Sequence, residues 1–471
     1  MLQTFLQTFQ KSICRIYKME MLYFQFVPGT SFCQENGFYE KGHPECMADF
    51  HFYRVMPGDR IECRDSSWQF QLSSYSEETE EYLIYTYCYQ TEENWAKYRG
   101  DFTEEGWRTC QHGKRSYKIE QGGWIRIAVR KKDGTAATAK DAEAAKKSLL
   151  LCRQKEKYEK KNFFKDEIKK TVETVRAKKK SDSLVFGLMT DTHYVINGGW
   201  EDSISNLIAV HKKVKLDAMV HLGDLTDGML PLDVTKKYSE KVMKDLQSLR
   251  IPVYLTLGNH DSNYFKLNQE WMTPEEQSQF YLKREKPWYT VDFEKQKLRC
   301  MFLFSFNHQE EIRYGFPQEE VEWVKRMLNE VPDGYSILIF SHVPLLPEMH
   351  YWSNLIRNCT EMKNVLDQYV HSGGIILAYI HGHNHSDQIL YTECFPIISI
   401  GCAKCEDFKD KKPEGSVTFE RKKGTLTQEL WDVLVINTEE KKMEFVRFGA
   451  GNDRIVQLTA EGLKEMKTGV F

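Results

Sequence analysis

The spacing of apolar and polar residues changes character twice along the chain. From about residue 21 to 138 it consists of short runs rich in aromatic and β-branched side chains, namely His51–Val55, Trp68–Leu72, Tyr82–Tyr89 and Trp124–Val129. Several alternate apolar with polar, the period of a half-buried strand. Pro57-Gly58, Gly122-Gly123 and Asp133-Gly134 read as the turns between them. The pattern predicts a small all-β domain of sandwich or jelly-roll type. From 139 to 180 Lys, Glu and Ala dominate, with Phe164, Ile168, Val172 and Val175 on one helical face. That stretch is expected to be a charged helical linker with one packed stripe. Beyond it, residues 181–471 read as an α/β domain. Strands are predicted at Leu184–Met189, Ala218–Leu222, Val253–Leu257, Ser336–Phe340, Ile375–Ile380 and Pro396–Ile400, with helices at Glu201–Lys213, Leu232–Leu249 and Gln318–Val331. A hairpin, Leu430–Asn437 with Lys442–Arg447, closes the domain, and Arg447–Arg454 reads as a surface turn.

Composition narrows the picture. At 471 residues the chain is too long for one compact core. A net charge of −3 argues against a general binder of nucleic acid, which needs a basic excess. No run of about 18 apolar residues exists, so no membrane span is expected. Residues 1–20 are basic and lack the continuous apolar stretch of a secretory signal; they are set aside as a leader, and the protein is expected to be soluble and cytoplasmic. The twelve cysteines are scattered, with one tight pair, Cys402 and Cys405. A zinc site would want a second pair, so these read as two thiols beside a strand end. Trp68, Trp95, Trp107 and Trp124 read as core of the β-rich domain, with carbohydrate or protein contact through that domain as the sharper alternative.

Five polar motifs each follow a predicted strand: Asp191-Thr-His193, Gly223-Asp-Leu-Thr-Asp227, Gly258-Asn-His-Asp261, Ser341-His342, and Gly382-His-Asn-His385. Strand ends of an α/β sheet converge on one crevice. Asp, Asn and His delivered there would make a metal site with hard-to-borderline ligands, suited to Mn, Fe or Zn. Two cations about 3.5–4 Å apart neutralise an anionic phosphate ester, acidify a shared water and hold the displacement in line. Alone, each motif is weak; together, in order and each at a strand end, they are specific. His221 and His381 read as core or supporting residues, and His43, His51, His112, His211 and His371 show no partner pattern.

On these motifs, residues Ser183 to Ile400 resemble the calcineurin-like metallophosphoesterase superfamily. The resemblance implies a four-layer αββα sandwich of two mixed sheets. It implies that Asp191, His193 and His385 bind one metal, that Asp224 bridges, and that Asn259, His342 and His383 complete a second. It gives His260 a catalytic role over the scissile phosphate, oriented and kept protonated by Asp227, with attack by a hydroxide shared between the ions. Gly228 stands where protein Ser/Thr phosphatases of the superfamily carry arginine, and Asp261 where they carry glutamate. Both departures weigh against a protein phosphatase; Gly223-Asp-Leu-Thr-Asp227 with Gly258-Asn-His-Asp261 looks more like the branch of phosphodiesterases acting on small organic substrates, with a phosphomonoesterase or nucleotidase as the alternative. The full ligand set argues against a non-catalytic scaffold. Cleft-wall residues are sought by position among Tyr194, Asn197, His308, Tyr314, Trp352 and Asn384.

Overall fold

The computed structural model describes residues 19–32, 39–75, 98–101, 107–109, 116–154, 160–194, 199–228, 232–264, 270–406 and 414–458. The leader before residue 19, the strand expected at Tyr82–Tyr89, and Trp95, His112 and Asn197 lie outside them. The chain divides into two compact units, Met1–Glu159 and Lys160–Phe471.

The first unit is built of antiparallel strands. In chain order its main elements are β1 (Met19–Tyr23), β2 (Cys46–Val55), β3 (Arg60–Cys63), β4 (Trp68–Tyr75), β5 (Ser116–Lys118), β6 (Gly123–Lys131), α1 (Ala139–Ser148) and β7 (Leu149–Gln154). One sheet has the order β1-β7-β3-β5; in the other, β6 lies between β2 and β4. The aromatic runs supply the core. Phe70, Leu72, Ile125, Ile127 and Val129 are almost wholly buried, and Trp68 and Trp124 are buried with them, so neither indole offers a platform to solvent. The stretch expected to be one helical linker contains a strand, β7, which pairs with β1 and β3. Its Leu149-Leu-Leu-Cys152 core is short, and the charged residues on either side mask it in any longer window.

The second unit opens with α2 (Phe164–Lys178), whose Phe164, Ile168, Val172 and Val175 are buried as the helical stripe predicts. Then follow β8 (Leu184–Met189), α3 (Trp200–Val214), β9 (Ala218–His221), α4 (Leu232–Gln247), β10 (Val253–Leu255), β11 (Tyr289–Phe293), β12 (Leu298–Phe302), α5 (Gln318–Asn329), β13 (Ser336–Phe340), α6 (Cys359–His371), β14 (Ile375–His381), β15 (Gln388–Tyr391), β16 (Pro396–Ser399), β17 (Leu430–Asn437), β18 (Lys442–Gly449) and β19 (Arg454–Gln457). Two six-stranded sheets result, β10-β9-β8-β17-β18-β19 and β11-β12-β13-β14-β16-β15. Alternate residues of each strand serve two cores. Leu184, Phe186 and Leu188 of β8 meet Phe302, Phe340 and Ile380 between the sheets. Val185 and Met189 face α2 and α3, and on the other side Ile337 and Ile339 face Val321 and Val324 of α5 and Leu366 of α6. The layers are therefore helix, sheet, sheet, helix. No described helix is long and apolar enough to cross a membrane.

The Arg447–Arg454 stretch does turn at the surface, where Asn452 and Asp453 are exposed between β18 and β19, but the arginines at its two ends point inward. Arg447 donates to Asp432 and Asp387 at 2.8 Å, and Arg454 donates to Asp387 at 2.8 Å and also reaches Asp432, with all four residues buried. Burying these charges is tolerable because each has opposite partners in hydrogen-bonding geometry.

Candidate metal centre

β8, β9 and β10 run parallel, as do β12, β13, β14 and β16. Most residues of these strands are apolar, and a polar cluster comes where β8, β9, β10, β13 and β14 stop. Asp191 and His193 follow β8, Asp224 and Asp227 follow β9, and Asn259 and His260 follow β10. His342 follows β13, and His383 and His385 follow β14. The loops lock together through backbone bonds: Asp191 N–H donates to the Gly223 carbonyl and His193 N–H to that of Asp224, both at 3.0 Å. Asp261 clamps two loops, accepting from the N–H groups of Asp224 and Gly258 at 2.8 Å and of Leu225 at 2.9 Å. There is no room for side chains at the tightest approaches: a Cβ at Gly258 would run into the Asp224 carboxylate, and one at Gly382 into Thr190 and Asp191.

The seven expected metal-ligating residues meet. His193 Nε2 and His385 Nε2 are 3.1 Å apart, and His385 Nε2 is 3.1 Å from Asp191 Oδ1. His342 Nε2 lies 3.3 Å from Asp224 Oδ2, 3.2 Å from Asn259 Oδ1 and 3.2 Å from His383 Nδ1. Asp224 Oδ2 is also 3.6 Å from His193 Nε2, so this carboxylate stands between the two groups. Two of the outer ring nitrogens are tied. His342 Nδ1 donates to the Leu222 carbonyl at 2.7 Å, and His385 Nδ1 bonds to Glu406. His193 Nδ1 is 3.1 Å from Asp227 Oδ1, outside hydrogen-bond alignment. Fixing the outer nitrogen leaves the inner one a lone pair. Lone pairs and carboxylate oxygens this close, and buried, call for positive charge among them. The imidazoles register the same demand: burial opposes protonation, yet Asp191 and Asp227 lift His193 to about 10, and Asp224 and Asp191 lift His342 to about 9. The residues fit a pair of cations, one beside Asp191, His193 and His385 and one beside Asn259, His342 and His383.

Residues 184–387, which deliver all nine of the site residues named from sequence, match the family model of the calcineurin-like phosphoesterases. This stretch is a calcineurin-like phosphoesterase domain. It is this domain that is assigned to the metallophosphoesterases, hydrolases of phosphoester bonds. No curated protein matches it. Among solved structures, a dimetal phosphatase of Danio rerio is similar at 16% identity over 59% of this chain and 99% of its own, with a TM-score of 0.43. A purple acid phosphatase, PPD1, from yellow lupin (Lupinus luteus) seeds is similar at 10% identity over 88% of this chain and 75% of its own, also with a TM-score of 0.43. GAP50, the anchor in the inner membrane complex of Plasmodium, is similar at 14% identity over 59% and 89%, with a TM-score of 0.39.

Around the phosphoesterase centre one expectation needs correction. Asp227 does not hold His260 with its carboxylate. His260 Nδ1 donates to the Asp227 backbone carbonyl at 2.5 Å, whereas the Asp227 side chain accepts from Lys404 Nζ at 3.0 Å and faces His193. Nor does His260 gain a raised pKa: burial lowers it, against the smaller upward pull of Asp224 and Asp227. For Asp227 burial works upward, but Lys404 and His193 overcome it and hold the carboxyl below its usual range.

Three residues near the phosphoesterase centre were missed from sequence. Lys404 and Glu406 follow β16, the sixth predicted strand, so position was an available signal. Glu406 falls to about 2, burial being outweighed by His385 and Lys404. His350 is the third: buried, with its Nε2 2.9 Å from His383 Nε2 and its ring stacked on that of His383. Cys402, beside the end of β16 as expected, lies with its Sγ 3.7 Å from Glu406 Oε1 and is grouped with Glu406 and His385. Of the cleft-wall candidates, Tyr314 packs against the His350 and His383 rings, and the half-exposed Trp352 donates its indole N–H to the His383 carbonyl at 3.0 Å. Asn384 accepts from Tyr351 N–H at 3.2 Å, Tyr194 is buried against Tyr238, and His308 lies farther out on Tyr264. His221 is a supporting residue, 2.7 Å from Thr192 Oγ1, with burial holding it at about 4. His381, also buried, bonds the Gly382 carbonyl at 2.9 Å.

Proposed function

We propose that the chain hydrolyses a phosphodiester of a small organic compound, with one ion held by Asp191, His193 and His385, a second by Asn259, His342 and His383, and Asp224 shared. The observation that carries this reading is the position of the Asp224 carboxylate, between His193 Nε2 and His342 Nε2 at 3.6 and 3.3 Å. Nitrogen and oxygen donors suit Mn, Fe or Zn. When bound, such ions supply charge neutralisation at the phosphoryl oxygens and an acidified water.

The chain's own residues do the remaining work. Glu406 and the Leu222 carbonyl orient His385 and His342 through their outer nitrogens. His260, anchored at Nδ1, acts from its other nitrogen on the leaving oxygen. A diester carries one negative charge where a monoester carries two, and the site is sparing with extra cations. Lys404 is spent on Asp227 and Glu406. Gly228, at a φ of 58°, is packed against the His260 backbone, where an arginine side chain could not start without displacing it. A cytoplasmic setting agrees with Cys46, Cys152, Cys300, Cys359, Cys394 and Cys402, which carry thiols and no disulfide. With Mn²⁺ present, bis-p-nitrophenyl phosphate should be turned over with a higher kcat/KM than p-nitrophenyl phosphate. The reverse order would transfer the assignment to a phosphomonoesterase.

A further inference from the structure

Aromatic rings run outward from the proposed centre in an unbroken series. Tyr314 lies 5.0 Å from the His383 ring, Phe306 5.4 Å from Tyr314, and Tyr264 5.8 Å from Phe306, centroid to centroid. His308 stacks on Tyr264 at 5.7 Å with an interplanar angle of 18°, and Trp271 meets His308 edge-on at 5.4 Å. The series joins the loop after β10, which carries His260, to the loop after β12. Its inner member, Phe306, is buried, but its outer end is open: Trp271 is 41% exposed. A large apolar ring left partly in water gives up burial free energy that a ligand can recover.

Two further features restrict what that ligand is. Arg313 lies over the Tyr264 ring at 5.0 Å and bonds to its hydroxyl, placing positive charge against the aromatic surface. Both ring nitrogens of His308 are buried and make no hydrogen bond among the described residues, so hydrogen-bonding capacity is unspent within the wall. A plain alkyl group would use neither property. A flat ring with its own nitrogen or oxygen atoms would use both, stacking on the wall and pairing at its edge.

We propose that Tyr264, His308 and Trp271 form a subsite for a planar heteroaromatic group of the substrate, an inference that rests on the phosphoester reading above. The test is calorimetric titration of the Mn²⁺-loaded full chain with adenosine 5′-monophosphate and with ribose 5-phosphate. The two present the same phosphate and sugar and differ in the ring alone. Adenosine 5′-monophosphate should bind about tenfold tighter, the low end of what one stacked base contributes. Trp271→Ala should erase most of that preference without weakening ribose 5-phosphate, and Trp271→Phe should retain it. Equal affinity of the two ligands for the wild type, or equal weakening of both by Trp271→Ala, would overturn the subsite while leaving the phosphoester reading intact. Binding of neither ligand would overturn the subsite, and turnover of bis-p-nitrophenyl phosphate by the same Mn²⁺-loaded protein would then decide the phosphoester reading separately.

Discussion

Both units bury a carboxylate beside a histidine, and the two cases differ in every respect that matters for chemistry. In the first unit Asp49 is wholly buried, and its oxygens accept from Gln25 N–H and Tyr53 O–H at 2.6 Å, from His51 N–H at 2.9 Å and from His51 Nδ1 at 2.6 Å. Each lone pair has a donor, so the group is part of the architecture. In the second unit Asp191 and Asp224 face imidazole nitrogens whose partners on the outer side are already fixed, and lone pairs meet lone pairs. The backbone makes the same division. Among the described residues, left-handed backbone in the first unit occurs at glycines alone, whereas the second unit has twelve non-glycine residues there. Asp191, His193, Asp224, His383 and His385 are five of the twelve. A non-glycine residue in that region costs of order 1–3 kcal/mol and persists only where its surroundings impose it. Burial of charge is therefore a poor mark of a site. Unsatisfied convergence on a strained backbone is a better one.

Substitutions can break this contrast. The largest effect belongs to Asp224→Asn, which removes the shared charge: activity should fall to background, and metal analysis should find less than half of the wild-type metal. His260→Ala should lower kcat by about 10²–10⁴-fold, the range for loss of a general acid, with metal content unchanged. Equal metal loss in these two proteins would refute the division of labour between them. Glu406→Gln acts one bond farther out and should weaken metal affinity by about 10–100-fold, the usual cost of losing a partner to a ligating histidine. Saturating metal should restore most of kcat. Asp49→Ala is the control from the first unit. Stranding several buried donors should cost about 3 kcal/mol of stability, seen as a lower melting temperature, with kcat and metal content unmoved.

The contrast also explains what could be read from sequence. The five motifs were visible because each sits where a mostly apolar strand such as Leu184–Met189 or Ser336–Phe340 stops. Strands β11 and β12 escaped notice because Asp292 and Arg299 interrupt them; in the fold these residues pair at 2.7 Å and share one stretch of sheet. β7 was hidden by charged neighbours that belong to other elements. Lys404 and Glu406 stand after the predicted strand β16, so their position was legible, but their partners Asp227 and His385 lie about 20 residues or more away along the chain and no local pattern names them. The hold on His260 was beyond reach for a different reason: it comes from a backbone carbonyl, a group every residue carries.

The central claim is that Asp224 lies between two cations. Anomalous diffraction from crystals grown with Mn²⁺ addresses it directly. Two peaks about 3.5–4 Å apart, one on the His193 and His385 side of Asp224 and one on the His342 and His383 side, are the predicted result. A single peak remote from Asp224, or none at saturating Mn²⁺, would contradict the account.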